Sequence, residues 1–600
     1  MAKSRKVVVS HMMPLFPEQS GWHPPKEPPN LDGVDHLAVD CETHDPELMT
    51  MGPGFLRNKA HTVGIAFAAK DAQWYFPLRH AIENCTWDVS EWLRDELMRD
   101  RCYIFANAQY DVETLWSMNS LPHGSWVDIL VDQALIDEEF APGYSLDAVA
   151  TRWLGVGKAD EILLKNATPY GAQSAEEAKG MMRYLPASVV GEYAKTDARR
   201  TYDTHFAQEE FIIREELDDV VELERHIIPV AWQMRQKGIR FNIDAAERLN
   251  KQWLLKENAL IINMKATGYV VDPWSSKSIA TYCDKKDIHY PRTPKGNPSF
   301  MQEFFSYADP MLKLVGQYRL VNKMRRDFII KWLEFSEYDG RIHSRWHQVA
   351  SEEGGTRSGR FASSDPNLQQ VPVRNPTFGP QLRALFLPEE GEQFMKGDYS
   401  GQEIRVAIHY AYVLKCTGAA EIVARYHKDR NFDFHDMVAK MAGIERVDAK
   451  TLALGSLYGM QAGKAQTSVG LSPAQAKQAY EDYFRVAPYF RELSEIATNQ
   501  ANKKGFVKTF CGRRRRFKEK EFTHKALNSV VQGTSADMVK QAMINIWQQT
   551  GLIPLLQVHD ELDYSVPDQE TADKIKDLME SALELAVPML IETKLGENWA

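Results

Sequence analysis

Six hundred residues, 44% hydrophobic and 26% charged, describe a globular chain with room for several domains and exclude a disordered or fibrous one. No apolar run approaches a membrane span, the N-terminus lacks the apolar core of a signal peptide, and six cysteines without a CxxC pair argue against zinc and against a disulfide framework, so a reducing cytoplasm fits. A net charge of −10 argues against a nucleic-acid binder judged on the total alone; a phosphate-facing surface has to be local, and two basic runs stand out, Arg319 to Arg326 and Lys503 to Lys520.

Residues 1–30 are proline-rich and read as an extended arm. From 31 to 215 the pattern is α/β: VDHLAVDCET, HTVGIAFAA and CYIFANA alternate with helical stretches. The first of these strands ends in Asp40-Cys41-Glu42, whose two acids face one side of an extended chain. Asp111 follows the third strand at the start of a helix, and Tyr193 and Asp197 share one face of a later helix. One acid pair at a strand end is commonplace; three acidic stations in this order are a stronger signal. From 216 to 340 the chain is helical and charged, with apolar residues at helical spacing between Glu215 and Met234.

Thr356 to Gln369 reads as a loop bearing Arg360, Asn367 and Gln369, donors of the kind that meet sugar and minor-groove acceptors. Gln393 to Lys396 reads as a strand leading to Asp398 and turning at Gly401 into a helix with Gln402, Glu403 and Arg405. Arg446, Lys450, Leu454 and Tyr458 recur every four residues and drift only about 40° per step, forming one helical stripe. Arg513 to Arg516 after Gly512 are expected to form a phosphate-facing loop. Leu555 to Val566 reads as a hairpin with a charged tip, and since successive residues of a strand point to opposite sides, one of Asp560 and Glu561 faces the chemistry.

The stretch around Asp398 and the tip at Asp560 resemble motifs A and C of family A DNA polymerases of the Klenow type. The acidic stations resemble the Exo I, II and III motifs of DEDDy 3′→5′ exonucleases. The resemblance implies a multidomain α/β and α+β chain: an RNase H-like exonuclease domain over 31–215, thumb and connecting helices over 216–340, and a right-hand palm and fingers over 341–600, with fingers at about 416–545. It implies two Mg2+ ions at Asp398, Asp560 and the Tyr399 carbonyl, with Glu561 in support, and two more at Asp40, Glu42, Asp111 and Asp197, where Tyr193 would orient the attacking water; Mn2+ is an alternative occupant. Two such ions about 3.5–4 Å apart activate a nucleophile and stabilise a leaving group, and magnesium prefers hard oxygen ligands.

By the same resemblance Arg446 and Lys450 clamp the nucleotide phosphates, Lys450 being placed to protonate pyrophosphate. Tyr458 and Leu454 lie by the nascent pair, Glu403 excludes a 2′ hydroxyl with Gln402 beside it, and His435 meets the triphosphate. DNA contacts fall on Arg360, Asn367, Gln369, Arg513, Arg514, Asn528, Gln532 and His559. The pair Gly401-Gln402 departs from the commoner Gln-Ile, and Leu454 from the usual Phe or Tyr. The implied activity is template-directed DNA synthesis in replication with 3′→5′ proofreading. The implied partners are primer-template DNA, dNTPs and a single-stranded 3′ end, with a helicase or single-strand-binding protein as a candidate. A monomer away from membranes is expected, in the bacterial host cytoplasm if phage-encoded; the lack of a preceding 5′ nuclease segment favours a phage-type replication enzyme. Two rival readings are a nuclease whose polymerase half only holds DNA, and a non-catalytic DNA-binding scaffold.

Overall fold

The computed structural model describes residues 22–600 apart from 157–158, 307–308, 353, 374 and 458–472. Most of the expected N-terminal arm and Tyr458 therefore lie outside the described residues.

The first unit is a five-stranded sheet of β1 (His36–His44), β2 (His61–Ala69), β3 (Ala72–Pro77), β4 (Arg101–Phe105) and β5 (Gly124–Asp128), in the order β3-β2-β1-β4-β5. Strand β1 runs antiparallel to β2 and parallel to β4, the arrangement expected of an RNase H-like sheet. Residues 62–69 of β2 are buried without alternation because both faces of this inner strand are covered. Strand β1 is central, so Asp40 and Glu42 sit in mid-sheet, just before a register shift between Glu42 and Thr43 that re-aims the strand end. Helix α1 (Ala108–Ser117) starts directly after β4, its first N–H groups received by the Asp128 carboxylate, 2.8 Å from the Ala108 nitrogen. Helix α2 (Ile129–Ile136) follows β5, α3 (Ala175–Met181) packs on the helix Asp160–Ala167, and the 28-residue α4 (Ala187–Arg214) crosses β1, β2 and β3.

Helix α5 (Asp218–Lys237) joins the halves, because its two sides serve different cores: Ile228 and Trp232 pack into the nuclease-like sheet, whereas Leu223, Ile227, Val230 and Met234 belong to the large core of the remainder. The long helices α6 (Ile243–Ala266) and α7 (Pro310–Met324) pack together as the thumb-like arm. Half of the basic run on α7 turns inward. Arg325 pairs with Glu257 at 2.7 Å and Arg319 lies over the Trp274 and Phe305 rings, which leaves Lys323 and Arg326 exposed.

The third unit is built on β6 (Gln393–Tyr399), followed by α8 (Gln402–Val413), α9 (Phe434–Ala442) and α10 (Arg446–Leu457). The hairpin of β7 (Phe506–Lys508) and β8 (Arg514–Arg516) comes next, then the 25-residue α11 (Ala526–Thr550), β9 (Leu556–Val558), β10 (Glu561–Val566) and β11 (Ile591–Gly596). The antiparallel sheet β9-β10-β6-β11 shares the large core, with the helix Gln569–Glu580 packed on β10 and β11 and against α11.

The arginine run is not a phosphate-facing loop, and Arg513 and Arg514 are not free for DNA. Arg514 pairs with Glu215 at 2.7 Å, Arg515 with Glu139 at 2.7 Å and Arg516 with Glu138 at 2.6 Å, so β8 is a strap to the first unit. Arg513, 5% exposed, is enclosed between Asp537 of α11, at 2.7 Å, and Glu224 of α5, which also receives the Lys540 ammonium. A buried guanidinium is tolerated only with such partners. Arg513→Met is therefore expected to lower stability to urea by about 3–5 kcal/mol, as removal of one member of a buried charge cluster does; a loss below about 1 kcal/mol would contradict the strut.

Two candidate active sites

The polymerase-like site follows from strand register. Asp398, next to last on β6, stands directly opposite Glu561 on β10 and Glu592 on β11. The two residues between β9 and β10, His559 and Asp560, make the hairpin turn, with His559 exposed at φ 60°. The Tyr399 N–H donates to the Asp560 carbonyl at 3.2 Å, which docks the turn beside Asp398. Tyr399 is anchored beneath by its hydroxyl on the Met579 carbonyl at 2.8 Å, and Arg405 braces the turn after β6 through the carbonyls of Ser400, Pro588 and Arg430 at 2.6–2.9 Å. Asp398 is exposed at the cleft; partial desolvation by the cleft walls, then the neighbouring carboxylates of Asp560, Glu561 and Glu592, push it up to about 7 against the pull of Lys450. Asp560 is also raised, by burial first and by Glu403, while Arg360 opposes. Glu561 is oriented by the Trp599 indole at 3.3 Å, and Glu592 by the Ser400 hydroxyl at 2.9 Å.

Helix α10 carries Lys450, exposed, and Arg446, which is held by Asp433 at 2.6 Å. Asp433 also caps α9 through the Asp436 N–H at 3.0 Å. His435 is buried below them; burial pushes its imidazole down to about 4, and its Nδ1 has no partner. Glu403 and Arg360 form a 2.6 Å pair at the cleft wall. Leu454 is half-buried against the core. Gln402 does not face a nucleotide: it is 3% exposed and its amide donates to the Ser535 carbonyl of α11 at 3.3 Å. Replacing the commoner Ile at a buried helix position keeps that side chain inside and gives it a polar partner. Gln369 spends its amide N–H groups on Phe361 and Gln557, and Asn367 caps the turn at the Gln369 N–H, so both act as braces of the loop. Asn528 and Gln532 are half-buried on α11, the Asn528 Oδ1 lacking a partner.

The nuclease-like site gathers all four expected acids. Asp40 and Glu42 come from β1, Asp111 from α1 and Asp197 from α4, and each one's ionisation is felt by others of the set. Burial pushes Asp40 up to about 6; burial and mutual repulsion hold Glu42, Asp111 and Asp197 well above the usual carboxylate range. Asp111 Oδ1 accepts from the Cys41 N–H at 3.1 Å, and Tyr193, one helical turn before Asp197 on α4, is buried with it. Among the described residues Glu42 Oε1 and Asp197 Oδ1 are buried without a partner, and oxygen-only donors with unmet capacity fit a hard divalent cation. Glu592 and Lys179 were not visible as site residues in the sequence. Lys179 on α3 offsets the charge of Asp40 and Glu42 while paired to Asp160 at 2.7 Å, and only tertiary packing brings either residue to its site.

An antiparallel palm sheet with carboxylates at the strand end, a basic helix above it and a helical arm beside it define a right-hand polymerase fold. The model of DNA polymerase family A matches residues 265–600. The DNA-directed DNA polymerase of Pseudomonas phage M6 is 31% identical, over 98% of this chain and 97% of its own length. DNA polymerase DpoZ of Acinetobacter phage SH-Ab 15497 is 26% identical, over 95% and 98%. The solved POL domain of Pol1 from M. smegmatis, in complex with DNA primer-template and dNTP, superposes with a TM-score of 0.75 over 94% of this chain and 96% of that one; at 22% identity the likeness is one of fold. The chain belongs to DNA polymerase family A.

Two outcomes follow from this geometry. Asp398, raised from 3.8 to about 7, favours the folded state below its ordinary pKa, and that advantage is lost as pH rises through about 7. In chelator, Asp398→Asn should therefore raise the thermal midpoint above about pH 7 and leave it unchanged near pH 4; equal effects at both would contradict the crowding. In a competition assay the enzyme should prefer deoxy to dideoxynucleotides, and Leu454→Tyr should narrow that preference by about tenfold or more; equal incorporation by the unaltered protein would contradict it.

Proposed function

We propose that this family A polymerase carries two separate phosphoryl-transfer sites, one for template-directed DNA synthesis and one for 3′→5′ removal of a mispaired end. The observation that carries the synthetic site is the register of Asp398 with Glu561, beside the Asp560 turn and under Lys450. In synthesis the primer 3′ oxygen attacks the α-phosphate in line, the new P–O bond forms, and the bond to pyrophosphate breaks. Asp398, Asp560 and the Tyr399 carbonyl would hold Mg2+, which when bound supplies hydroxyl activation and stabilises the leaving group's charge. Lys450 meets the phosphates with its ammonium and gives the departing pyrophosphate a proton. Arg446 joins it by exchanging Asp433 for phosphate oxygen. Glu403, fixed by Arg360, walls off the position of a 2′ hydroxyl.

For digestion, Asp40, Glu42, Asp111 and Asp197 form the cation-binding set, and Tyr193, one helical turn from Asp197, orients the water that attacks the terminal phosphodiester. Completeness of this set, with its unmet buried oxygens, supports a working nuclease over a structural remnant. Retention of Lys450 and the paired acids opposes both the nuclease-only and the scaffold readings.

With an end-labelled primer on a longer template, Mg2+ and dNTPs, Asp398→Asn should abolish extension and spare shortening, and Asp40→Ala should do the reverse. Loss of both activities in either variant would contradict separate sites.

A further inference from the structure

At the far end of the nuclease-like sheet, the starts of two strands meet a helix. His36 of β1 and Cys102 of β4 are register partners in the parallel pair, so their side chains share one face, and His205 of α4 lies over them. One ligand atom from each of the three lies within 4.8 Å of the others, and the two imidazole centroids are 6.1 Å apart. We propose that His36, Cys102 and His205 form a binding site for a borderline-soft divalent cation of the zinc type, which clips α4 to the sheet.

The donor set is the first reason. One thiol and two imidazoles are the ligands that zinc takes, at about 2.3 Å to sulfur and about 2.0–2.1 Å to nitrogen, with water as a fourth ligand. Tetrahedral placement needs the ligand atoms roughly 3.4–3.7 Å apart. Closing by about an ångström is within reach of side-chain rotation at His36 and Cys102, which are only partly buried. The second reason is His205 itself: it is 3% exposed, and among the described residues its Nδ1 makes no hydrogen bond and faces the Glu209 carboxylate, which leaves the other ring nitrogen for the cation. The third is the surroundings. Glu209 Oε1 lies 3.9 Å from that Nδ1, and Glu209 shares Arg225 with Asp132, so carboxylates stand behind the imidazole as they do behind metal-bound histidines. Arg225 offsets part of the carboxylate charge, and a dication with a thiolate leaves the cluster near neutrality. Cys102 and Glu209 also line an open cavity of about 1120 Å³, which provides entry.

The site is distinct from the nuclease acids. His36 precedes Asp40 by four strand residues, about 13 Å, and His205 follows Asp197 by eight helical residues, about 12 Å. A clip there fixes how α4 lies along β1, and hence how Asp197 meets Asp40 and Glu42. Strand pairing and a crossing helix, not chain proximity, assemble this set, so no CxxC spacing marks it.

The test uses the full chain, stripped with chelator and returned to excess Mg2+ so that the oxygen-rich sites are occupied, then titrated with Co2+. A near-ultraviolet thiolate-to-cobalt band should appear and saturate at one equivalent, and Zn2+ should displace it. Cys102→Ser and His36→Ala should each lose the band while still extending a primer, which shows that they fold. Zinc should also raise the thermal midpoint of the unaltered protein and not of these variants. No band in the unaltered protein, or a band that survives Cys102→Ser, would overturn the site.

Discussion

Like charge held at short range is the condition on which both carboxylate clusters depend. In the palm, antiparallel pairing sets Asp398 between Glu561 and Glu592 and docks Asp560 at its side. In the nuclease-like unit, a central strand and two helices bring four carboxyl groups together, three of them nearly out of water. Neither arrangement is one that carboxylates adopt unaided, since each charge disfavours the next and burial disfavours all of them. Lys450 and Lys179 relieve part of the repulsion. Packing elsewhere holds the backbone against that repulsion, as in the Tyr399 anchor, the Arg405 brace and the Trp599 indole on Glu561.

The two centres are held in one frame by a second use of charge, this time opposite charge. Helix α5 lends one side to each core, and Glu224 on it joins Arg513 and Lys540 where no water reaches. Around this point the β7–β8 hairpin reaches Glu138, Glu139 and Glu215 of the first unit. Burial draws the Lys540 ammonium down to about 8 despite Glu224, a sign of how dry the junction is. A primer end that visits both sites in the proposed function therefore travels across a frame whose halves are tied together by buried ion pairs.

Much of this was legible in the sequence where the signal is local. The strand, glycine turn and helix around Asp398 appear as the residues dictate, with Gly401 at φ 62°, and the hairpin at Asp560 turns in the two residues its charged tip marks. The acids of β1, α1 and α4 were readable because two-residue and four-residue spacings place side chains on one face. What failed was everything whose partner is distant. A run of four arginines looks the same whether it awaits phosphate or the acids of another unit, and only the fold brings Glu138 and Glu224 to it. Gln402 sits beside a nucleotide-facing residue in sequence yet points the other way on α8, into α11. His36, Cys102 and His205 carry no spacing at all; a parallel register and a crossing helix make them neighbours.

The most direct measurement of the crowding is proton release when Mg2+ is added to chelator-stripped protein in weak buffer at about pH 6.5. Asp398 near 7 and Asp40 near 6 are then partly protonated, and a cation has to displace those protons to bind. The account predicts a measurable release that shrinks in Asp398→Asn and, separately, in Asp40→Ala, with the Asp398 share vanishing about two pH units higher. Mg2+ binding without proton release, or a release indifferent to both substitutions, would contradict it.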